Sequence, residues 1–184
     1  ATTDASGEYC VTRLQPGKYL VDFSKKGYVH KYYDGSNEGT ENSEEQGFVK
    51  VSLGDTATNC NASLDKNPVV SGTVKDGGGN PLSNIHVVFY DMNRNGSSAH
   101  GVYTDEQGNY TTEKLKEGSY RVGFQDPYNK EYATKYYADK PNVFSIENAK
   151  TITVQKNSTY TNIDGVMTER LHSVDGRIVD ETGH

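Results

Sequence analysis

Residues 3–23 read TDASGEYCVTRLQPGKYLVDF, and residues 104–124 read TDEQGNYTTEKLKEGSYRVGF. The two stretches align without a gap and share nine of 21 positions, so the chain repeats itself. An internal repeat governs how everything around it is read. Outward from this pair the register continues: Lys31-Tyr32-Tyr33 matches Lys135-Tyr136-Tyr137, and VKVSLGDTATNCNASL (49–64) matches ITVQKNSTYTNIDGVM (152–167). SVDGRIVDETG (173–183) matches VVSGTVKDGGG (69–79), and the offset drifts only from 101 to 104 residues. Such a period is domain-sized, not a solenoid turn. The expected organisation is a partial module over 1–67 that lacks its first strands, a complete module over 68–168, and the first strand of a further module over 169–184.

Each module reads as strand after strand. Val69–Val74, Ile85–Tyr90, Tyr110–Leu115, Tyr120–Phe124, Thr151–Val154 and Thr161–Val166 are short and rich in Val, Ile, Thr and Tyr, as half-buried strands are. Gly77-Gly78-Gly79-Asn80-Pro81, Asn93-Arg94-Asn95-Gly96, Gln107-Gly108-Asn109 and Glu117-Gly118 supply the turns between them. Alternation along Gly118–Phe124 puts Tyr120, Val122 and Phe124 on one face. No window carries a convincing helical period. The fold class is therefore all-β: tandem antiparallel β-sandwich modules of about 100 residues.

The order SGTVKD, NPLSNIHVVFYD, TDEQGNYTTEKLKEGSYRVGF, KYYAD, TITVQKNSTYTNIDGVM resembles the carboxypeptidase regulatory-like module, a transthyretin-like (prealbumin-like) sandwich. The resemblance implies tandem copies in bacterial or archaeal surface proteins. The related collagen-adhesin B-type repeats often carry a Lys–Asn crosslink. Here Val74 and Phe124 stand where that pattern needs its lysine and acid, and Lys75, Glu113 and Asn162 are the fallback set.

Composition narrows the function. The net charge is −6, which argues against nucleic acid, whose phosphates select a basic face. Apolar residues make only 33% of the chain, but the 14 tyrosines among them provide enough large side chains for two thin cores. No apolar run approaches the ~18 residues that a membrane helix needs. His30, His86, His100, His172 and His184 are scattered without metal spacing, and no G-x-S-x-G elbow occurs. The chain is expected to be non-enzymatic and to bind no required cofactor.

Several residues are candidates for more than packing. Cys10 and Cys60 fall in one module and are candidates for a disulfide; the alternative is two small thiols, because alternation turns Tyr9 inward and Cys10 outward. Asp91-Met92-Asn93-Arg94-Asn95-Gly96 matches the first half of a calcium loop. Val102 replaces the closing acid, so Asp91, Asn93 and Asn95 need Asp105 as a fourth ligand; the plain alternative is an Asn-Gly turn. Tyr32, Tyr33, Tyr136 and Tyr137 could stack on sugar rings or pack the sandwich edge. Asn61, Asn95, Asn109 and Asn157 are glycosylation sequons. Ser173, Val174, Arg177, Ile178 and Val179 would serve strand exchange between chains, with a window cut from a longer array as the simpler alternative.

The function these features fit is a structural segment of an extracellular surface or filament-forming protein, a stalk, fibre or adhesin at the cell surface. Its partners would be copies of itself or neighbouring modules end to end. A carbohydrate- or matrix-binding module and an accessory domain of a secreted hydrolase are the alternatives.

Overall fold

A computed structural model describes residues 1–128, 131–139 and 141–170. The chain divides into two compact units, Ala1–Asn67 and a second that begins at Pro68. The first unit contains β1 (Gly17–Tyr19), β2 (Asp22–Phe23), β3 (Lys31–Tyr32) and β4 (Val49–Val51). The second contains β5 (Val69–Lys75), β6 (His86–Asp91), β7 (Ser97–Tyr103), β8 (Asn109–Thr112) and β9 (Gly118–Gln125). It continues with β10 (Tyr132–Ala133), β11 (Lys135–Tyr136), β12 (Thr151–Val154), β13 (Thr159–Tyr160), β14 (Gly165–Val166) and β15 (Thr168–Glu169). Among the described residues the only helical pieces are single 3₁₀ turns.

The second unit is a two-layer sandwich. One sheet runs β7, β6, β9, and β11 and β12 share the far edge of β9. The other is centred on β5, which pairs antiparallel with β8 and parallel with β13 and β14. The alternation read from the sequence puts Tyr120, Val122 and Phe124 inside, and all three are at most 3% exposed. They meet Val87 and Phe89 from their own sheet and Val70, Val74, Tyr110 and Ile163 from the other, with Leu115 and Met167 filling the same core. The apolar faces of two sheets seal one another, and this burial is the main term holding the unit together.

Two features depart from the reading of the sequence. The stretch SSAHGVY was not expected to be a strand, yet it forms β7, paired with β6 from His86↔Tyr103 to Asp91↔Ser97. Its residues are weak strand formers; β6 supplies the ladder that orders them. The last strands were expected to be antiparallel, whereas β13 and β14 run parallel to β5. The residues assigned to strand exchange, Ser173, Val174, Arg177, Ile178 and Val179, lie outside the described residues.

Candidate functional site

The most specific chemistry in the second unit lies where its first strand crosses the sheet. Tyr110 on β8 points inward and its hydroxyl donates to the carbonyl of Ile163 at 2.6 Å. β5 passes between these walls, and Gly72 sits on the bridge: a Cβ there would stand 2.2 Å from the Ile163 oxygen and 3.1 Å from Tyr110 Cε1. Only a residue without a side chain fits. One position on, Thr73 donates its N–H (2.7 Å) and its hydroxyl (3.1 Å) to Asp164 Oδ1. First and last strands are thus pinned together by side chains as well as by their ladder.

Burial, with smaller contributions from the Asp164 carboxylate and Tyr137, pushes the Tyr110 phenol well above its ordinary value of 10.0. The folded unit keeps a proton that the unfolded chain releases. The stability this group contributes is therefore intact below about pH 10. Above it, stability falls by up to about 1.4 kcal/mol per pH unit. Urea unfolding between about pH 9 and 12 is expected to show stability falling above about pH 10, and Tyr110→Phe to make the fall shallower, the raised Tyr90, Tyr120 and Tyr132 supplying the rest.

From the stretch that matches β8 onward, the first unit repeats several of the second unit's bonds. Tyr9 donates to the Cys60 carbonyl at 2.7 Å, as Tyr110 does to Ile163. Tyr19 donates to the Gln15 carbonyl as Tyr120 does to Lys116. Asp4 Oδ1 accepts from the N–H groups of Ser6 and Glu8, and Asp105 Oδ1 from those of Gln107 and Asn109. β1 pairs with β4 as β9 pairs with β12, and β2 with β3 as β9 with β11. No described residue of Ala1–Asn67 reproduces β5, β6 or β7.

The consequence is an uncovered inner face. Leu14 is 40% exposed where Leu115 is 2% exposed. Tyr9, Tyr19 and Phe23 are half-buried where Tyr110, Tyr120 and Phe124 are sealed. Glycines make the sharpest comparison. A Cβ on Gly108 would meet Val74 O at 2.5 Å, Pro81 and Leu82; one on Gly7 would meet nothing within 4 Å.

Both units bury a lysine that sequence reasoning overlooked in favour of the tyrosines beside it. Lys31 and Lys135 are each 7% exposed. Lys31 Nζ donates to the Glu38 carbonyl and pairs with Asp65, both at 3.3 Å. Lys135 Nζ donates to the Asn142 carbonyl at 3.2 Å and lies over the Phe144 ring. Burial lowers the Lys135 pKa. The signal was present: the lysine repeats in register with its two tyrosines.

The other candidate residues are dispersed. Cys10 and Cys60 are free thiols, which corrects the expected disulfide. Tyr9 turns inward to bond Cys60, so its neighbour Cys10 is carried outward and is exposed. Asp91 Oδ1 accepts from the Asn93 N–H at 2.9 Å, and Asn95 is left-handed (φ 54°). Asp105, needed as a fourth ligand, follows β7 at the end facing His86, a strand length from the Asp91↔Ser97 end. The calcium set therefore does not converge, and among the described residues no group of three or more His, Cys, Asp or Glu gathers.

Tyr32, Tyr33, Tyr136 and Tyr137 are half-buried. Tyr136 tilts against Tyr90 at 6.1 Å, and Tyr137 packs on the core. Asn61, Asn95, Asn109 and Asn157 are all exposed, and so are Lys75, Glu113 and Asn162, leaving the crosslink set without a buried acid. A shallow cleft of about 320 Å³ is lined by Pro81, Leu82, Ile85, Asp126, Tyr128 and Tyr132. Its Asp126 caps the N–H groups of Tyr128, Glu131 and Tyr132. No helix among the described residues is long and apolar enough to cross a membrane.

The family described as carboxypeptidase regulatory-like domain matches residues 69–168. Two Staphylococcus epidermidis proteins named serine-aspartate repeat-containing protein F are 31% identical over 138 residues. The match covers 68% of this chain but only 8% of those relatives. Among solved structures, the Bacillus anthracis TIE protein aligns at 18% identity and TM-score 0.41, covering 85% of this chain and 26% of that one. A streptococcal ancillary pilin aligns at 15% identity and TM-score 0.40, covering 85% and 46%.

Proposed function

The chain belongs to the carboxypeptidase regulatory-like domain family, and from that premise we propose that it is a non-catalytic structural segment of an extracellular surface or filament-forming protein. It serves as a stalk or fibre whose modules follow one another end to end. The observation that carries this reading is the parallel pairing of β5, the first strand of the second unit, with β13 and β14 near its end. Tension entering at Val69 and leaving beyond Val166 pulls parallel neighbours in opposite directions along their own axes. The ladder, the Tyr110–Ile163 bond and the Thr73–Asp164 pair are then loaded together in shear, where an antiparallel hairpin would peel one bond at a time. The dispersal of titratable groups among the described residues supports a mechanical role over a catalytic one.

Stretching single molecules of the full chain by their two ends tests this. The expected trace has one abrupt rupture that releases about 100 residues, roughly 350 Å of extended chain. Smooth extension without such a step would contradict the proposal. Tyr110→Phe is expected to lower the rupture force.

A further inference from the structure

We propose that the outer face of the five-stranded sheet in the second unit binds a linear polysaccharide that carries carboxylates, as uronate sugars do. The inference rests on this face and not on the mechanical reading, so either can fail alone. Alternation sends Val87 and Phe89 of β6 into the core and turns His86, Val88 and Tyr90 outward. The neighbours of Val88 across the ladders are Gly101 on β7 and Gly123 on β9, and beyond Gly123 stands Tyr136 on β11. The two glycines leave room that rings occupy. A Cβ on Gly101 would stand 2.3 Å from His86 Nε2, and one on Gly123 would stand 3.0 Å from Tyr90 Cε2 and 3.1 Å from Tyr136 Cε1. The rings therefore lean over the sheet, and Val88 is only 3% exposed although it faces outward.

The result is a low aromatic surface across four strands, roughly 14 Å wide at ~4.8 Å per strand spacing. His86 stacks on Tyr103 at 4.7 Å, and Tyr90 tilts against Tyr136 at 6.1 Å. Gln125 Nε2 donates to the Tyr90 hydroxyl at 2.7 Å. Pyranose rings suit such a surface, because their C–H faces cover aromatic rings while their rim hydroxyls meet tyrosine, amide and imidazole groups. Charge selects among sugars. The chain carries a net charge of −6, yet none of the outward strand positions on this face is acidic. Arg121 donates to two neutral oxygens, the Ile146 carbonyl at 2.9 Å and Thr151 Oγ1 at 3.4 Å, and among the described residues no carboxylate pairs with it. A sugar carboxylate would supply that pair. The repeat shows that the face is particular to the second unit. GSYRVGF and GKYLVDF agree at the inward Tyr, Val and Phe positions, but Leu20 and Asp22 stand where Arg121 and Gly123 do.

Chemical-shift titration of the full chain with a hyaluronan octasaccharide, which alternates glucuronate with a neutral sugar, tests the proposal. The amides of Val88, Gly101 and Gly123 should move first, and the affinity should fall as salt is raised. Arg121→Gln should weaken binding about tenfold, and Tyr103→Ala about fivefold. Tyr103 is 54% exposed, so removing its ring leaves the core intact, and the same spectra show that each variant is folded. Tyr128→Ala, an exposed ring on the cleft, should leave binding unchanged. Cellohexaose, a linear glycan without carboxylates, should bind about tenfold more weakly than the octasaccharide. The absence of shifts at millimolar octasaccharide would overturn the proposal. Binding indifferent to both Arg121→Gln and Tyr103→Ala, or equal binding of cellohexaose, would overturn it as well.

Discussion

Phe124→Ala is expected to destabilise the second unit by about 3–5 kcal/mol, whereas Phe23→Ala, at the matching position, should cost the first unit only about 1 kcal/mol. The two side chains have the same sequence context, GSYRVGF against GKYLVDF. What differs is the layer above them. Phe124 is fully buried under Val70 and Val74 of β5, and Gly165 comes so close that a Cβ on it would stand 2.8 Å from the ring. Phe23 is half-buried, with Tyr9 edge-on at 6.0 Å. Removing a ring from a sealed core leaves a cavity; removing it from an open face mostly exchanges one exposed surface for another. Calorimetry in dilute solution should show the transition of the second unit falling by at least about 12 °C for Phe124→Ala. Similar shifts from both substitutions would mean that the first unit has a sealed core as well.

Gly72→Val is the second large effect, at about 3 kcal/mol or more. The added Cβ would stand 2.2 Å from a backbone oxygen and 2.7 Å from its carbon, and neither can swing aside as the tip of a side chain can. Either β5 lifts off the last strands or the Tyr110 hydroxyl loses its acceptor in the core. Overpacking costs about 1–3 kcal/mol and a buried carbonyl left unbonded about 1–3 kcal/mol. Tyr110→Phe removes the bond without the clash and should cost about 1–3 kcal/mol. Gly77→Ala, where the Cβ would meet nothing within 4 Å, should stay within about 0.5 kcal/mol of the parent. Urea midpoints of these three variants give the order directly.

Much of this was legible in the sequence because the information is local or repeated. Alternation through Tyr120, Val122 and Phe124 needs only period two, and the gapless match of 3–23 to 104–124 carries the same turns and tyrosines into both units. What escaped reading depends on partners distant in the chain. Ser97–Tyr103 becomes a strand because β6 offers it a ladder, not because of its own composition. Whether β13 and β14 run parallel or antiparallel to β5 depends on where the chain returns, about 90 residues after β5 begins. The apparent calcium loop read as one site because Asp91 and Asp105 are near in sequence, yet the intervening hairpin carries them to opposite ends. Lys31 and Lys135 escaped because lysine is usually solvated, and their cover comes from Glu38, Asp65, Asn142 and Phe144.

Amide hydrogen exchange on the dilute, monomeric chain tests the central claim most directly, because it compares the same strand with and without its neighbour. The amides of Asn109–Thr112, paired with β5, should exchange orders of magnitude more slowly than those of Glu8–Val11, which match them in sequence register but have no such strand beside them among the described residues. Equal, slow exchange in both stretches would show that the first unit is already closed, and the account would be wrong.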